Sequence, residues 1–186
     1  MCGIAGFAQL ELADGEARRL LAAMTGALAH RGPDGHGSHL AAGVGLAHTR
    51  LAIVDVARGV QPMTAGEVTI VYNGEVYNAP ALRAELEADG VHFTTRSDTE
   101  VVLRLYDRDP DGFERRLVGM WALALHDRRR RRLVLSRDRF GVKPLHLARA
   151  GRRLVFGSEL AALRVAAPHL GDALAVEADA AHAMLA

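Results

Sequence analysis

Met1-Cys2-Gly3-Ile4-Ala5-Gly6-Phe7 opens the chain, and its second residue is the only cysteine among 186. The run behind that cysteine is short and apolar, the pattern of a buried strand, and residues 2–9 are read as the first one. Methionine is normally trimmed when the next residue is small, which leaves Cys2 with a free α-amine beside its own thiol. A thiol ordinarily titrates near ~8.5 and an α-amine near ~7.7–8.0, so at neutral pH the amine is partly neutral and can accept the thiol's proton. One residue can then supply both nucleophile and base. Position alone does not separate this reading from a small apolar residue that starts a strand.

Working outward, residues 16–29 place Leu20, Leu21, Met24 and Leu28 on one helical face, and the helix stops before Gly32-Pro33. Strands are expected at 43–55 and 68–73. Asn78, with Pro80 behind it, begins a helix that ends at Gly90, and Ser97 or Asp98 caps another through Leu105. Four further strands, 119–126, 132–137, 144–149 and 153–156, precede a short helix from Glu159 to about Val165, capped by Ser158. Strands and helices fall in blocks, which argues for layered α+β and against a doubly wound parallel sheet.

The length suits one domain. A net charge of +1 supplies no field for nucleic acid or an anionic membrane. A single cysteine forms no intrachain disulfide and fits a reducing cytoplasm. No run reaches the ~18 apolar residues of a membrane span, and the amino terminus lacks a signal-peptide pattern. Arg128 to Arg132 fall between two strand-like runs, so they read as a solvated hairpin turn, not a nucleic-acid site. The nine histidines show no metal-ligand spacing, Gly35-His36-Gly37 reads as a turn, and Trp121 reads as core.

Three polar segments sit at the ends of expected strands. Arg50 lies in an apolar run and needs a partner carboxylate, from the protein or from a ligand. Asn73-Gly74-Glu75 interrupts a strand with an amide donor and a residue whose backbone allows close approach; it serves either an oxyanion or a hairpin turn. Asp98 faces either helix amides, as a cap, or a substrate ammonium. With Cys2, these groups together describe a site for an amino acid whose side-chain carbonyl is attacked.

The ordered segments Cys2 to Gly6, His30-Arg31-Gly32-Pro33-Asp34-Gly35, Arg50 to Asp55, Gln61-Pro62-Met63, Tyr72 to Asn78, Ser97 to Glu100, Ser136 to Leu145 and Phe156 to Leu160 resemble the amino-terminal glutaminase domain of asparagine synthetases. That domain is a class II glutamine amidotransferase of the N-terminal-nucleophile hydrolase superfamily. The resemblance implies a four-layer αββα sandwich of two antiparallel sheets spanning 2–165, with 166–186 a domain edge or the start of a connection to a synthetase domain. It implies L-glutamine as substrate and Cys2 as nucleophile. Asn73 and the Gly74 N–H would form the oxyanion hole, and Arg50 would pair with the α-carboxylate. Glu75 and Asp98 would hold the α-ammonium, and the main chain of Leu51, Ala52, Ile53 and Val54 would line the pocket.

No cofactor is implied for this domain. ATP and magnesium belong to a synthetase domain or subunit, whose Ser-Gly-Gly-x-Asp-Ser loop does not occur here. Ala161 stands where a lysine is common, at a position expected to contact that partner, and His146 where an aromatic is usual. The product expected is ammonia for making asparagine from aspartate. The alternatives are a specialised enzyme amidating another carboxylate, or a non-catalytic remnant. A homo-oligomer is compatible with the sequence.

Overall fold

The computed structural model describes residues 1–53 and 55–171. Val54 and the expected edge from 172 to 186 lie outside them. Strand β1 (Gly3–Ala8) runs through the middle of a five-stranded sheet and is buried at every residue. Its side chains alternate between two cores, as the two-residue period of a strand requires. Ala5 and Phe7 pack with the apolar face of helix α1 (Asp14–Ala27), through Leu20, Leu21 and Met24. Ile4 and Ala8 turn the other way, into a core shared with the second sheet. Gly6 lies on that inner side, where a Cβ would run into the Phe156 ring and the Gly45 carbonyl.

Around β1 the first sheet contains β2 (Gly35–Ala41), β3 (Val44–Arg50), β8 (His146–Ala150) and β9 (Arg153–Gly157) in the order β2-β3-β1-β9-β8. The second is β4 (Met63–Ala65), β5 (Val68–Val76), β6 (Gly119–Asp127) and β7 (Arg132–Arg137), in that order. Every strand pair within the two sheets is antiparallel. Helix α4 (Leu160–Ala166) joins α1 against the outer face of the first sheet. Helices α2 (Ala79–Ala88) and α3 (Asp98–Arg108) cover the second through Leu82, Leu86, Val102 and Leu105. Val71, Ala122, Ala124, Leu46 and Phe156 fill the space between the sheets. The result is the αββα sandwich expected from the sequence. Packing continues past residue 165 to Leu170, which is buried with α1 and α4.

Several local expectations are corrected. The strand expected over 43–55 stops at Arg50, because Arg50 turns its guanidinium onto the carbonyls of Asp55 and Val56 and folds the chain back. Asn73-Gly74 neither breaks a strand nor forms a turn; β5 continues to Val76, with Asn73 opposite Ala122 and Gly74 opposite Trp121. Gly35-His36-Gly37 is not a turn but the start of β2, and Gly37 is there because a Cβ would strike the Gln61 carbonyl. Ser158 does not cap α4. Its hydroxyl instead accepts from the Ile4 N–H at 3.0 Å, extending the contact between β9 and β1.

The arginines from 128 on do flank a hairpin between β6 and β7. Arg128, Arg129, Arg130 and Arg132 pair with Glu67, Asp107, Asp127 and Asp111 respectively. Trp121 is buried with the α3 core and donates to Ser136 Oγ at 3.1 Å. Among the described residues no group of acidic, histidine and cysteine side chains is arranged to hold a metal ion, and no helix is long and apolar enough to cross a membrane.

Candidate active site

Cys2 stands at the open end of β1, where the two sheets part and leave a cavity of about 160 Å³. Its sulfur lies against the main chain of Leu51, 3.4 Å from the amide nitrogen and 3.6 Å from the carbonyl oxygen. Arg31 fixes the same residue from behind: its Nε donates to the Cys2 carbonyl at 3.0 Å, while Nη1 pairs with Glu159 at 2.8 Å. His30 reaches the same Glu159 oxygen at 3.1 Å. The Arg31 hydrogen bond, ahead of the cost of burial, holds the Glu159 carboxyl below the usual carboxylate range.

Strand β5 forms the opposite wall. In an antiparallel ladder alternate amides point to the same edge. The Tyr72 N–H donates to Gln61 Oε1 at 2.6 Å, and the Val76 N–H to Asp98 Oδ2 at 3.0 Å, both away from β6. The Gly74 N–H between them therefore points to that edge as well, towards the cavity. A Cβ on Gly74 would collide with the Met120 carbonyl and crowd the Tyr72 hydroxyl. Asn73 is buried, and its Nδ2 has no hydrogen-bond partner among the described residues. A buried amide donor without a partner costs roughly 1–3 kcal/mol unless something accepts from it.

Asp98 starts α3, whose cap is Ser97: Ser97 Oγ accepts from the Glu100 N–H at 3.3 Å. Freed from capping, Asp98 accepts from the Tyr72 hydroxyl at 2.8 Å as well as from Val76. Burial first, and then the adjacent Asp98 charge, push the Tyr72 hydroxyl far above its ordinary range, so it stays a donor. Asp98 Oδ1 carries no protein hydrogen bond among the described residues. Glu75 is exposed at the rim.

The structure thus gathers Cys2, Arg50, Leu51, Ile53, Asn73, Gly74, Glu75 and Asp98 around one cavity. Ala52 does not line it; its amide is held by Asp34 Oδ2 at 2.8 Å. Val54 lies outside the described residues. Arg50 has no carboxylate partner among the described residues; two main-chain carbonyls, from Val56 at 2.8 Å and Asp55 at 2.9 Å, hold its guanidinium.

Sequence reasoning assigned no role to four residues that shape the site. Arg31, Gln61, Tyr72 and Glu159 all sit in segments that carry the resemblance, but their partners are 11 to 128 positions away. Lys143, buried and lining the cavity, was overlooked as well.

Comparison with known proteins agrees with this architecture. Residues 1–185 match the glutamine amidotransferase domain family. The chain is 36% identical to asparagine synthetase [glutamine-hydrolyzing] 2 of Bacillus subtilis over 88% of its own length and 22% of that protein's. It is 39% identical to asparagine synthetase B of Escherichia coli over 79% of the chain and 27% of the relative. The glutamine phosphoribosylpyrophosphate amidotransferase structure from B. subtilis superimposes with a TM-score of 0.74 over 88% of this chain and 43% of that one, at 23% identity, and shares the fold. The two stacked antiparallel sheets are the fold that this chain shares with that amidotransferase. The chain belongs to the glutamine amidotransferase domain family, and it spans about a quarter of the length of the asparagine synthetases it matches.

Proposed function

We propose that this chain hydrolyses L-glutamine to glutamate and ammonia through a thioester on Cys2, and that the ammonia serves to make asparagine from aspartate. One observation carries the first part. A buried amide donor with no partner among the described residues, Asn73 Nδ2, and the edge-facing Gly74 N–H adjoin the cavity that holds the only thiol. Paired donors of this kind suit an oxyanion that is absent in the resting site.

In this reading, removal of Met1 exposes the Cys2 α-amine. The amine takes the thiol proton, and the sulfur attacks the carboxamide carbon while Asn73 and Gly74 receive the developing oxyanion. As the intermediate collapses, the C–N bond breaks and the ammonium of Cys2 returns its proton to the departing nitrogen, which leaves as ammonia. Water then adds to the thioester, giving its proton to the amine. Glutamate departs, and the proton returns to sulfur. Arg50 pairs with the substrate α-carboxylate, while Asp98 Oδ1 and Glu75 hold the α-ammonium. Leu51 and Ile53 line the pocket.

No cofactor is needed for these steps. ATP and magnesium belong to the acceptor-activating part of the asparagine synthetase relatives, and the partner here is a synthetase domain or subunit of that kind. The names of those relatives support aspartate as acceptor. A thiol that must stay reduced suits a cytoplasmic setting.

The test is glutamate release by the purified protein, with the amino-terminal mass read on the same sample. Turnover from a chain that begins at Cys2, lost in Cys2→Ala, is the expected result. Turnover that survives in Cys2→Ala, or in a chain that retains Met1, overturns the mechanism.

A further inference from the structure

Lys143 is the chain's only lysine. It is 8% exposed, and it lines the same cavity as Cys2. Its position is set by Asp138, whose carboxylate accepts four main-chain N–H groups: Trp121 at 3.3 Å, Phe140 at 3.1 Å, Val142 at 2.9 Å and Lys143 itself at 3.0 Å. Those bonds occupy both Asp138 oxygens and hold its carboxyl below the usual range, burial notwithstanding. The lysine ammonium meets no carboxylate within 4.0 Å among the described residues. Its one side-chain hydrogen-bond contact among the described residues is Met1 Sδ, at 3.5 Å. Removal of Met1 takes that contact away and creates the Cys2 amine in the same cavity.

The other cations that face Cys2 are already engaged. Arg31 is balanced by Glu159, and Arg50 is held by two carbonyls. Asp98 accepts from Tyr72 and Val76, and Glu75 stands exposed at the rim. Lys143 is the cation on the cavity wall, among the described residues, that neither a carboxylate nor a carbonyl holds. A nearby positive charge disfavours the protonated amine and favours the thiolate.

We propose that Lys143 lowers the proton affinity of the Cys2 amine–thiol pair in the processed protein, keeping the base neutral and the nucleophile ready at neutral pH. Amine and thiol belong to one residue, so the charge acts on both together. Lys143 touches neither proton; it tunes the pair through space. The inference rests on the glutaminase reading for its function, but its physical content is testable without turnover.

The experiment compares wild type, Lys143→Met and Lys143→Arg, each confirmed by mass to begin at Cys2 and by thermal melting to be folded. Two profiles are recorded against pH: the rate of Cys2 alkylation by iodoacetamide, and kcat/KM for glutamine. Removing the positive charge raises the proton affinity of the pair. The acid limb of both profiles should therefore move to higher pH by about half a unit or more in Lys143→Met and stay in place in Lys143→Arg. Unmoved limbs in a folded Lys143→Met protein overturn the proposal. So does a rise in KM with unmoved limbs, which would assign the lysine to the substrate carboxylate. Wild-type protein that alkylates with the expected shift pattern but releases no glutamate upholds the tuning and overturns the glutaminase reading instead.

Discussion

Arg31 Nε donates to the main-chain carbonyl of Cys2 at 3.0 Å, so the residue that carries the thiol is anchored by a side chain from the segment behind α1. Arg31 is itself buried and pinned by Glu159, 128 positions further along. Replacing it with methionine leaves the Glu159 carboxylate without its main partner and the proposed nucleophile without its anchor. Since Glu159 is partly exposed, the loss of stability should be about 1–3 kcal/mol, below that of a fully buried pair. kcat should fall about tenfold or more with a smaller change in KM, because positioning of the sulfur matters most in the reacting complex. Lysine should not restore it, since it lacks the fork that spans both acceptors. Melting and steady-state kinetics of both variants check this. The carboxyl of Glu159 titrates below its ordinary range, so the pair's contribution is fully present above pH ~4.5 and is lost as pH falls through the folded value.

Asn73 Nδ2 bonds to nothing among the described residues, so Asn73→Ala removes no hydrogen bond to them from that nitrogen. Stability should change little, while kcat falls about 10²–10³-fold, the usual effect of losing one oxyanion donor. A large loss of melting temperature with kcat intact would contradict this assignment. Gly74→Ala should behave differently, since its Cβ meets the Met120 carbonyl and the strand must shift; both stability and turnover should fall.

The Tyr72 hydroxyl orients Asp98. In Tyr72→Phe that carboxylate loses a hydrogen bond of the charged kind, worth about 1.5–3 kcal/mol at most. The proposed contact with the substrate ammonium should loosen, raising KM for glutamine about three- to tenfold with kcat nearly unchanged. An equal fall in kcat and kcat/KM would place Tyr72 in the chemical step instead.

His48 lies between the sheets, 1% exposed, and both its ring nitrogens lack a hydrogen-bond partner among the described residues. Burial is the main cause that pulls its pKa down from 6.5 to about 4. The unfolded chain takes up this proton below about pH 6.5 while the folded protein refuses it until about 4. Stability should therefore decline as pH falls through that window and stop declining from this cause below it. The full effect is roughly 3 kcal/mol. Urea midpoints at several pH values, for wild type and His48→Leu, should diverge in slope between those limits. Parallel curves would show that His48 does not carry the dependence.

Much of this was legible beforehand for identifiable reasons. Helix α1 follows from four apolar residues at helical spacing, and α3 from Ser97 before an amphipathic run. The misreadings share another cause. Strand β2 was missed because Gly35 and Gly37 look like a turn, and only the neighbouring Gln61 carbonyl shows why the second must be glycine. Ser158 looked like a cap, a local rule, but the Ile4 amide competes for its hydroxyl. The end of β3 at Arg50 depends on carbonyls the chain reaches only by folding back.

By itself the sequence determined the layered class and singled out the lone cysteine and the polar residues that line the cavity, because alternation, helical spacing and the position of a lone cysteine are properties of neighbours in the chain. The tertiary structure alone decided that Arg31 anchors Cys2, that Tyr72 bonds Asp98, and that, among the described residues, Asn73 Nδ2 is left open and Lys143 meets no counter-ion. Each of these depends on how two stacked sheets bring distant side chains within hydrogen-bonding range, and no rule of sequence spacing encodes that distance.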